Sequence, residues 1–457
     1  MNVNTKQMSN NYYNNYKNND PIFFITPNPI YAIGLEKIIK NYFIICSQKS
    51  DIARYLKKEK IAVLCLNDNK IKNAGKILTN EKVVKYIKSK AKNKKANIIT
   101  FKPSPIIQRV CKKNNFRYLG NDWKLNRDLE DKIKFVKVMK KLKIPNANSR
   151  IIKLDKNECS LNFSKNKKFV IQFPRGFSGN STFFIKDENS LDKILKKYKG
   201  RKAKLSEYFK GEAYTVNACV VGNKTLIGKP IFQITGLPLY NKNTFGTCGN
   251  DYAYPRKLKK EQREKIFNYT RKIGDYIKKL EYRGIFGLDF IVSDKKINLI
   301  EINPRIIGSM ALFTKLQIQN NQSPFLSLSI LEFIASTDVG NNNFEKWDKE
   351  GNFNASQLIL RNTENKPIEV IKNLKSGIYE IEENKIVFKK EAYSAEKKMK
   401  KNEFLVQCSA KERVISPDIE YANVQVGYGI MKNKKQFKDC FEKIACFVMK
   451  NIKIQQI

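Results

Sequence analysis

The stretch that most narrows the possible folds is residues 284–308, GIFGLDFIVSDKKINLIEINPRIIG. Two short β-type runs, 288–292 and 297–302, flank the turn-forming Ser293-Asp294-Lys295-Lys296, which is the pattern of a hairpin. Side chains alternate faces along a strand. Asp289 is the only carboxylate of the first run, while Glu301 and Asn303 share a face of the second, so antiparallel pairing can set Asp289 opposite Glu301. By itself a hairpin with one Asp and one Glu is more often solvated surface. The apolar setting decides otherwise, because a buried carboxylate without a metal or a cation is costly. Asp289, Glu301 and Asn303 are hard oxygen donors that suit Mg²⁺, with Mn²⁺ as the alternative ion. Arg305, just after Pro304, adds a permanent cation able to pair with an anionic substrate or intermediate.

Composition excludes more than it proposes. The chain of 457 residues contains no His, which removes Ser-His-Asp and Cys-His mechanisms, His-ligated zinc and imidazole bases together. The net charge of +45 comes from lysines spread along the whole length without a nucleic-acid-binding motif. It is therefore read as a coding bias that attracts anionic small molecules, not as a nucleic-acid site. No apolar run approaches the roughly 20 residues needed to cross a bilayer. Residues 1–20 are polar, without an apolar signal core, and read as a disordered tail. Nine cysteines stand singly with no C-x-x-C, as in a cytoplasmic protein with reduced thiols.

Residues 21–121 alternate strand and helix, with strands at 22–26, 42–46, 61–66, 96–101 and 116–119 and helices at about 31–41, 52–58 and 106–113. This predicts a parallel, doubly wound sheet. No G-x-G-x-x-G follows its first strand, which argues against a dinucleotide site there. An amphipathic helix at 129–142 carries Lys132 near its start. Residues 168–185, KFVIQFPRGFSGNSTFFI, read as strand, small-residue loop and strand, and Gly176, Ser178 and Gly179 can offer backbone N–H groups to phosphate. It is not a Walker A loop, since G-K-[ST] and a following helix are missing. Residues 228–255 read as a long irregular segment facing substrate, with Gln233, Asn250 and Asp251 as contacts and Cys248 as a bystander thiol. A helix at 260–280 leads into the hairpin, helices at 309–316 and 324–335 follow, and 341–354 is a polar linker. Short strands and a terminal helix complete an α+β C-terminal lobe.

Asp289 together with Glu301-Ile302-Asn303-Pro304-Arg305 resembles the metal-binding hairpin of the ATP-grasp superfamily, an acid on one strand and E-x-N-x-R on the next. The resemblance implies an α/β and α+β multidomain fold: an N-terminal parallel α/β domain at 21–121, a two-lobed ATP-grasp core at 122–340 and a small α+β lobe at 341–457. It implies ATP and Mg²⁺ as cofactors. Lys132 would reach the nucleotide phosphates, and the loop with Arg175, Gly176, Ser178 and Gly179 would cover them. Glu207, Tyr208 and Phe209 would hold the adenine, and Glu212 the ribose. One departure stands out: Gln172 occupies the position where the family usually has a phosphate-binding lysine, and an amide brings no charge.

Within the family, Asn303-Pro304-Arg305-Ile306-Ile307-Gly308-Ser309 resembles amino-acid and peptide ligases. The implied activity is ADP-forming C–N ligation of a carboxylate to an amine through an acyl phosphate, with Arg305 and Lys132 in catalytic roles. A biotin-dependent carboxylase stands behind this, because the Q-V-E stretch after the arginine is absent. A nucleotide- or nucleic-acid-binding protein with impaired catalysis is the reading from a different class. Small-molecule carboxylate and amine partners, no membrane and a homodimer are compatible with the resemblance.

Overall fold

The computed structural model describes residues 20–159, 161, 163, 167–176, 181–334, 353–383, 385–395 and 399–457. Most of the polar tail and of the 341–354 linker lies outside them.

The N-terminal strands β1 (Ile22–Ile25), β2 (Tyr42–Cys46), β3 (Ala62–Cys65), β4 (Asn97–Thr100) and β5 (Arg117–Tyr118) form one parallel sheet in the order β3-β2-β1-β4-β5. β1 is buried along its whole length because both faces are covered, as parallel strands require. Ile22 and Phe24 enter one apolar cluster, Phe23 and Ile25 another. The helix expected at 31–41 does not form. A single 3₁₀ turn, Pro29–Ala32, is followed by turns, and Gly34 sits at φ +134°, outside helical space, where a Cβ would lie 2.8 Å from the Thr314 side chain. Helices Ala74–Leu78 and Glu81–Ala91 form in a region where no helix was read from the sequence.

A second, antiparallel sheet holds β6 (Arg150–Lys153), β7 (Phe169–Gln172), β8 (Thr182–Ile185) and β9 (Lys202–Glu207) in the order β6-β9-β7-β8. Ile152, Ile171, Ile185 and Leu205 pack on helix Glu188–Tyr198 through Leu191 and Leu195. The alternation of side chains leaves Val170, Gln172, Lys204 and Ser206 on the other face.

The third sheet has eleven strands among the described residues. Its first part holds β10 (Glu212–Val221), β11 (Lys224–Ile227), β12 (Ile231–Thr235), β13 (Thr247–Asp251), β14 (Gly284–Val292) and β15 (Ile297–Asn303). The order runs β15-β14-β10-β12-β13, and β13 then pairs with β16 (Ser356–Arg361). The ladder passes on through Glu420–Val426, Glu403–Cys408 and Gly377–Glu382, so the C-terminal strands continue the sheet that carries the hairpin. The irregular segment expected at 228–255 is corrected here, since it contains β12 and β13 paired with each other. No described helix is long and apolar enough to cross a membrane.

Candidate active site

The hairpin supplies the centre. β14 and β15 pair in regular register from Val292↔Ile297 to Phe290↔Leu299, and then the ladder shifts so that Asp289 faces Glu301 and Gly287 faces Asn303. Ile300 is the extra residue of a β-bulge. Strict alternation from Leu299 would send Glu301 and Asn303 to the core side with Leu299. The bulge turns both to the side of Asp289, while Leu288, Phe290, Leu299 and Ile302 stay in the core.

Around this pair the side chains are tightly connected. Asn303 Nδ2 donates to Asp289 Oδ2 at 3.0 Å and to Glu301 Oε1 at 3.3 Å, and Gln233 Nε2 donates to Asp289 Oδ1 at 2.8 Å. Lys132 Nζ lies 3.2 Å from Glu301 Oε2. Arg305 donates from Nη2 to Asn303 Oδ1 at 2.9 Å and from Nε to Glu130 Oε1 at 3.2 Å. Burial and the facing Glu301 raise the Asp289 pKa. Burial also pushes on Glu301, but Lys132, the Asp289 hydrogen bond and Arg305 outweigh it and hold Glu301 below the usual carboxylate range.

Lys132 arrives from a helix whose start differs from the one read in the sequence. Residues 123–142 form two helices, Trp123–Leu129 and Lys132–Leu142, with Asp131 capping the second by accepting from Ile133 N at 2.8 Å and Lys134 N at 3.2 Å. Lys132 is thus the first helical residue, and its backbone N–H donates to Pro174 O at 3.0 Å, tying the helix start to the end of β7.

The loop after β7 is described only in part. Arg175 and Gly176 are exposed, and Ser178 and Gly179 lie outside the described residues. Gly176 is dictated by contact, since a Cβ there would lie 1.8 Å from Ser181 Oγ. Gln172 is 7% exposed and donates to Thr182 Oγ1 at 3.1 Å.

At the end of β9 the N–H groups of Glu207 and Tyr208 are already engaged, donating to Ala147 O at 3.1 Å and Lys168 O at 2.7 Å. Of the backbone groups expected to read an adenine edge, these two donors are taken. The Tyr208 ring is exposed, 5.0 Å from that of Phe184, and Phe209 is half-buried beside it. Both oxygens of Glu212 accept a tyrosine hydroxyl, Tyr214 at 2.7 Å and Tyr254 at 2.8 Å. A carboxylate has further lone pairs for a ligand, but neither oxygen is unengaged.

One of the three loop contacts expected from the sequence, Asp251, is corrected, while Asn250 is the direct ladder partner of Gln233 on the same face. Asp251 is fully buried and accepts four backbone N–H groups, from Ala253, Tyr254, Ile430 and Met431 at 2.8–2.9 Å, so it is an anchor between segments and not a substrate contact. Asn250 is buried and accepts from Gln357 Nε2 at 2.9 Å. Only Gln233 joins the acidic pair. Cys248 is buried, and burial pushes its thiol up to about 12, which leaves it inert.

One member of the site escaped the sequence reading. Lys204 is 1% exposed, its Nζ donates to Ile300 O at 3.1 Å and it lies 4.6 Å from the centroid of the Phe135 ring. Burial, then Lys132, lower its pKa to about 7 against the opposing pull of Glu301. The carbonyl that receives it is the one the bulge releases, 96 residues away in sequence. No sequence signal marked it, since its place across from Gln172 appears only in the register of β7 and β9.

The donor set fits a divalent cation. Two carboxylates face each other, and the repulsion that raises the Asp289 pKa is what such an ion would relieve. The third donor needs a rearrangement, because Asn303 turns its Nδ2 and not its oxygen to the acids. Beside Arg305 opens a recess lined by Phe101, Tyr118, Asn126, Tyr282 and Arg283.

Residues 129–309 match the ATP-grasp domain family. Over 193 residues, 42% of the chain, the sequence is 25% identical to an uncharacterized protein of Methanocaldococcus jannaschii, of which the match covers 44%. The chain spans less than half the length of the curated relatives it matches. A biotin carboxylase–β,γ-ATP complex from Campylobacter jejuni superposes with a TM-score of 0.61 at 10% identity, covering 96% of this chain and 92% of that one. An L-amino acid ligase from Bacillus licheniformis gives 0.59 at 11% identity, with 96% and 99% covered.

Proposed function

We propose that this chain, which belongs to the ATP-grasp superfamily, is an ATP-dependent ligase that activates a small carboxylic acid as its acyl phosphate and joins it to an amine. The observation that carries this reading is the bulged hairpin, which sets Asp289, Glu301 and Asn303 on one face with Lys132 and Arg305 against them.

In the first step a carboxylate oxygen attacks the γ-phosphorus of ATP and ADP leaves. In the second the amine nitrogen attacks the acyl carbon, the C–N bond forms, and the C–O bond to phosphate breaks with its electron pair, the amine proton leaving with the released phosphate. Asp289, Glu301 and a rotated Asn303 would hold Mg²⁺, which supplies charge neutralisation on the phosphates. Lys132, fixed at a helix start and tied to the end of β7, orients the transferring group. Arg305, anchored by Glu130, faces the recess and is placed to hold the acid's carboxylate. Such chemistry needs no protein nucleophile and is compatible with a chain that has no His.

An amine ligase is favoured over a carboxylase because Ile306-Ile307-Gly308-Ser309 follows Arg305. The test is incubation with Mg-ATP, a pool of amino acids and other small acids, and hydroxylamine. Acid-dependent ADP release with hydroxamate formation is the expected result. Acid-independent ADP release, or none with any acid, would overturn the reading.

A further inference from the structure

We propose that Lys204 is a phosphate-binding cation of this site, delivered from β9 to the place that uncharged Gln172 faces from β7. The inference rests on the ATP reading above and adds a residue to it.

Four observations carry it. Lys204 and Gln172 are direct partners in the antiparallel ladder, so their side chains leave the sheet on the same face with Cβ atoms about 5 Å apart. That face is opposite the apolar cluster of Ile171, Leu205 and Ala203. Lys204 reaches from the four-stranded sheet to the eleven-stranded one, ending on Ile300 O, one residue from Glu301. Finally, its ammonium is poorly satisfied. At 1% exposure it has three donors, yet among the described residues its partners are one carbonyl and the face of Phe135, with no carboxylate in ion-pair range.

A buried ammonium with donors to spare is costly unless an anion completes its shell. Among the described residues no such anion is supplied. Glu301, the nearest acid in the cluster, is spent on Lys132. Counting charges, Lys132, Lys204, Arg305 and the Lys102 that pairs with Glu130 outnumber Asp289, Glu301 and Glu130 by one, so a divalent ion would leave an excess of three positive charges. A polyphosphate meets both demands, and Gln172 then acts as an uncharged donor beside the lysine.

The experiment measures affinity for Mg-ATP, Mg-ADP and adenosine by titration calorimetry in the wild type, Lys204→Met, Gln172→Lys and the double variant. Lys204→Met should weaken ATP and ADP binding on the order of tenfold to a hundredfold, the worth of a charge-assisted hydrogen bond, and leave adenosine affinity unchanged. Gln172→Lys in the Lys204→Met background should restore most of the loss, because it returns a cation to the same face. Lys204→Gln keeps a donor to Ile300 O and carries the same comparison if Lys204→Met does not fold. Equal loss for adenosine and ATP, or no rescue in a folded double variant, would make Lys204 a clamp between sheets and overturn this inference alone. Wild-type protein that binds adenosine and ATP equally would overturn it too, and wild type that binds neither would overturn the ligase reading first.

Discussion

Asp289 stands directly across the ladder from Glu301, and it does so because Ile300 is extruded between Leu299 and Glu301. The same extrusion frees the carbonyl that Lys204 takes up. One local irregularity thus aligns the two acids and recruits a cation from another sheet.

Replacing Glu301 by Gln tests the acidic pair. The amide keeps the volume but removes the charge that Lys132 meets at 3.2 Å. Acid-dependent ADP formation should fall by about a hundredfold or more, the scale of losing one preorganised electrostatic group. Far-ultraviolet dichroism should be unchanged, because Glu301 lies on the polar face of the hairpin, opposite the core residues Leu288, Phe290, Leu299 and Ile302. Near-wild-type turnover would show that the hairpin is not the centre of the chemistry.

Much of this was legible in the sequence, for reasons visible in the chain. The β1 run reads as a buried parallel strand because Ile22 to Ile25 are apolar on both faces. The hairpin reads as one because a polar four-residue turn separates two apolar runs. Asp251 misled because polar residues in a Gly- and Asn-rich segment suggest a loop, whereas its partners Ile430 and Met431 lie some 180 residues on. The bulge at Ile300 has no composition of its own, and Lys204 is one lysine among many until its register is known. Burial and long-range pairing, which sequence periodicity does not encode, decided all three.

Arg305→Lys separates recognition of the acid from nucleotide binding. The guanidinium uses a fork, Nε to Glu130 and Nη2 to Asn303, that an ammonium cannot reproduce. The KM for the acid should rise on the order of tenfold while the KM for ATP changes little. Steady-state kinetics with each substrate varied in turn gives the split. A larger effect on ATP would move Arg305 to the phosphates.

Asp251→Ala should damage the fold and spare the site. Four backbone N–H groups, three of them buried, would lose their acceptor, at a cost of about 3 kcal/mol or more. Denaturant unfolding should show the loss, while nucleotide affinity of the folded fraction stays near wild type. A stable variant with weakened substrate binding would return Asp251 to the list of contacts.

Lys204 makes the stability of the nucleotide-free protein depend on pH with a definite sign. Its folded pKa is lowered to about 7, first by burial and then by Lys132. An unfolded lysine keeps its proton up to about 10.4. Between these values the unfolded state binds more protons, so the Lys204 contribution makes stability rise with pH from about 7 toward 10. Thermal denaturation across that range should show a rise that is reduced in Lys204→Met. Bound phosphate favours the charged form, so ATP binding should take up protons near neutrality and weaken as pH rises above about 7. A wild-type stability curve in that range identical in shape to that of Lys204→Met would mean that the ammonium is not held in a low-dielectric setting.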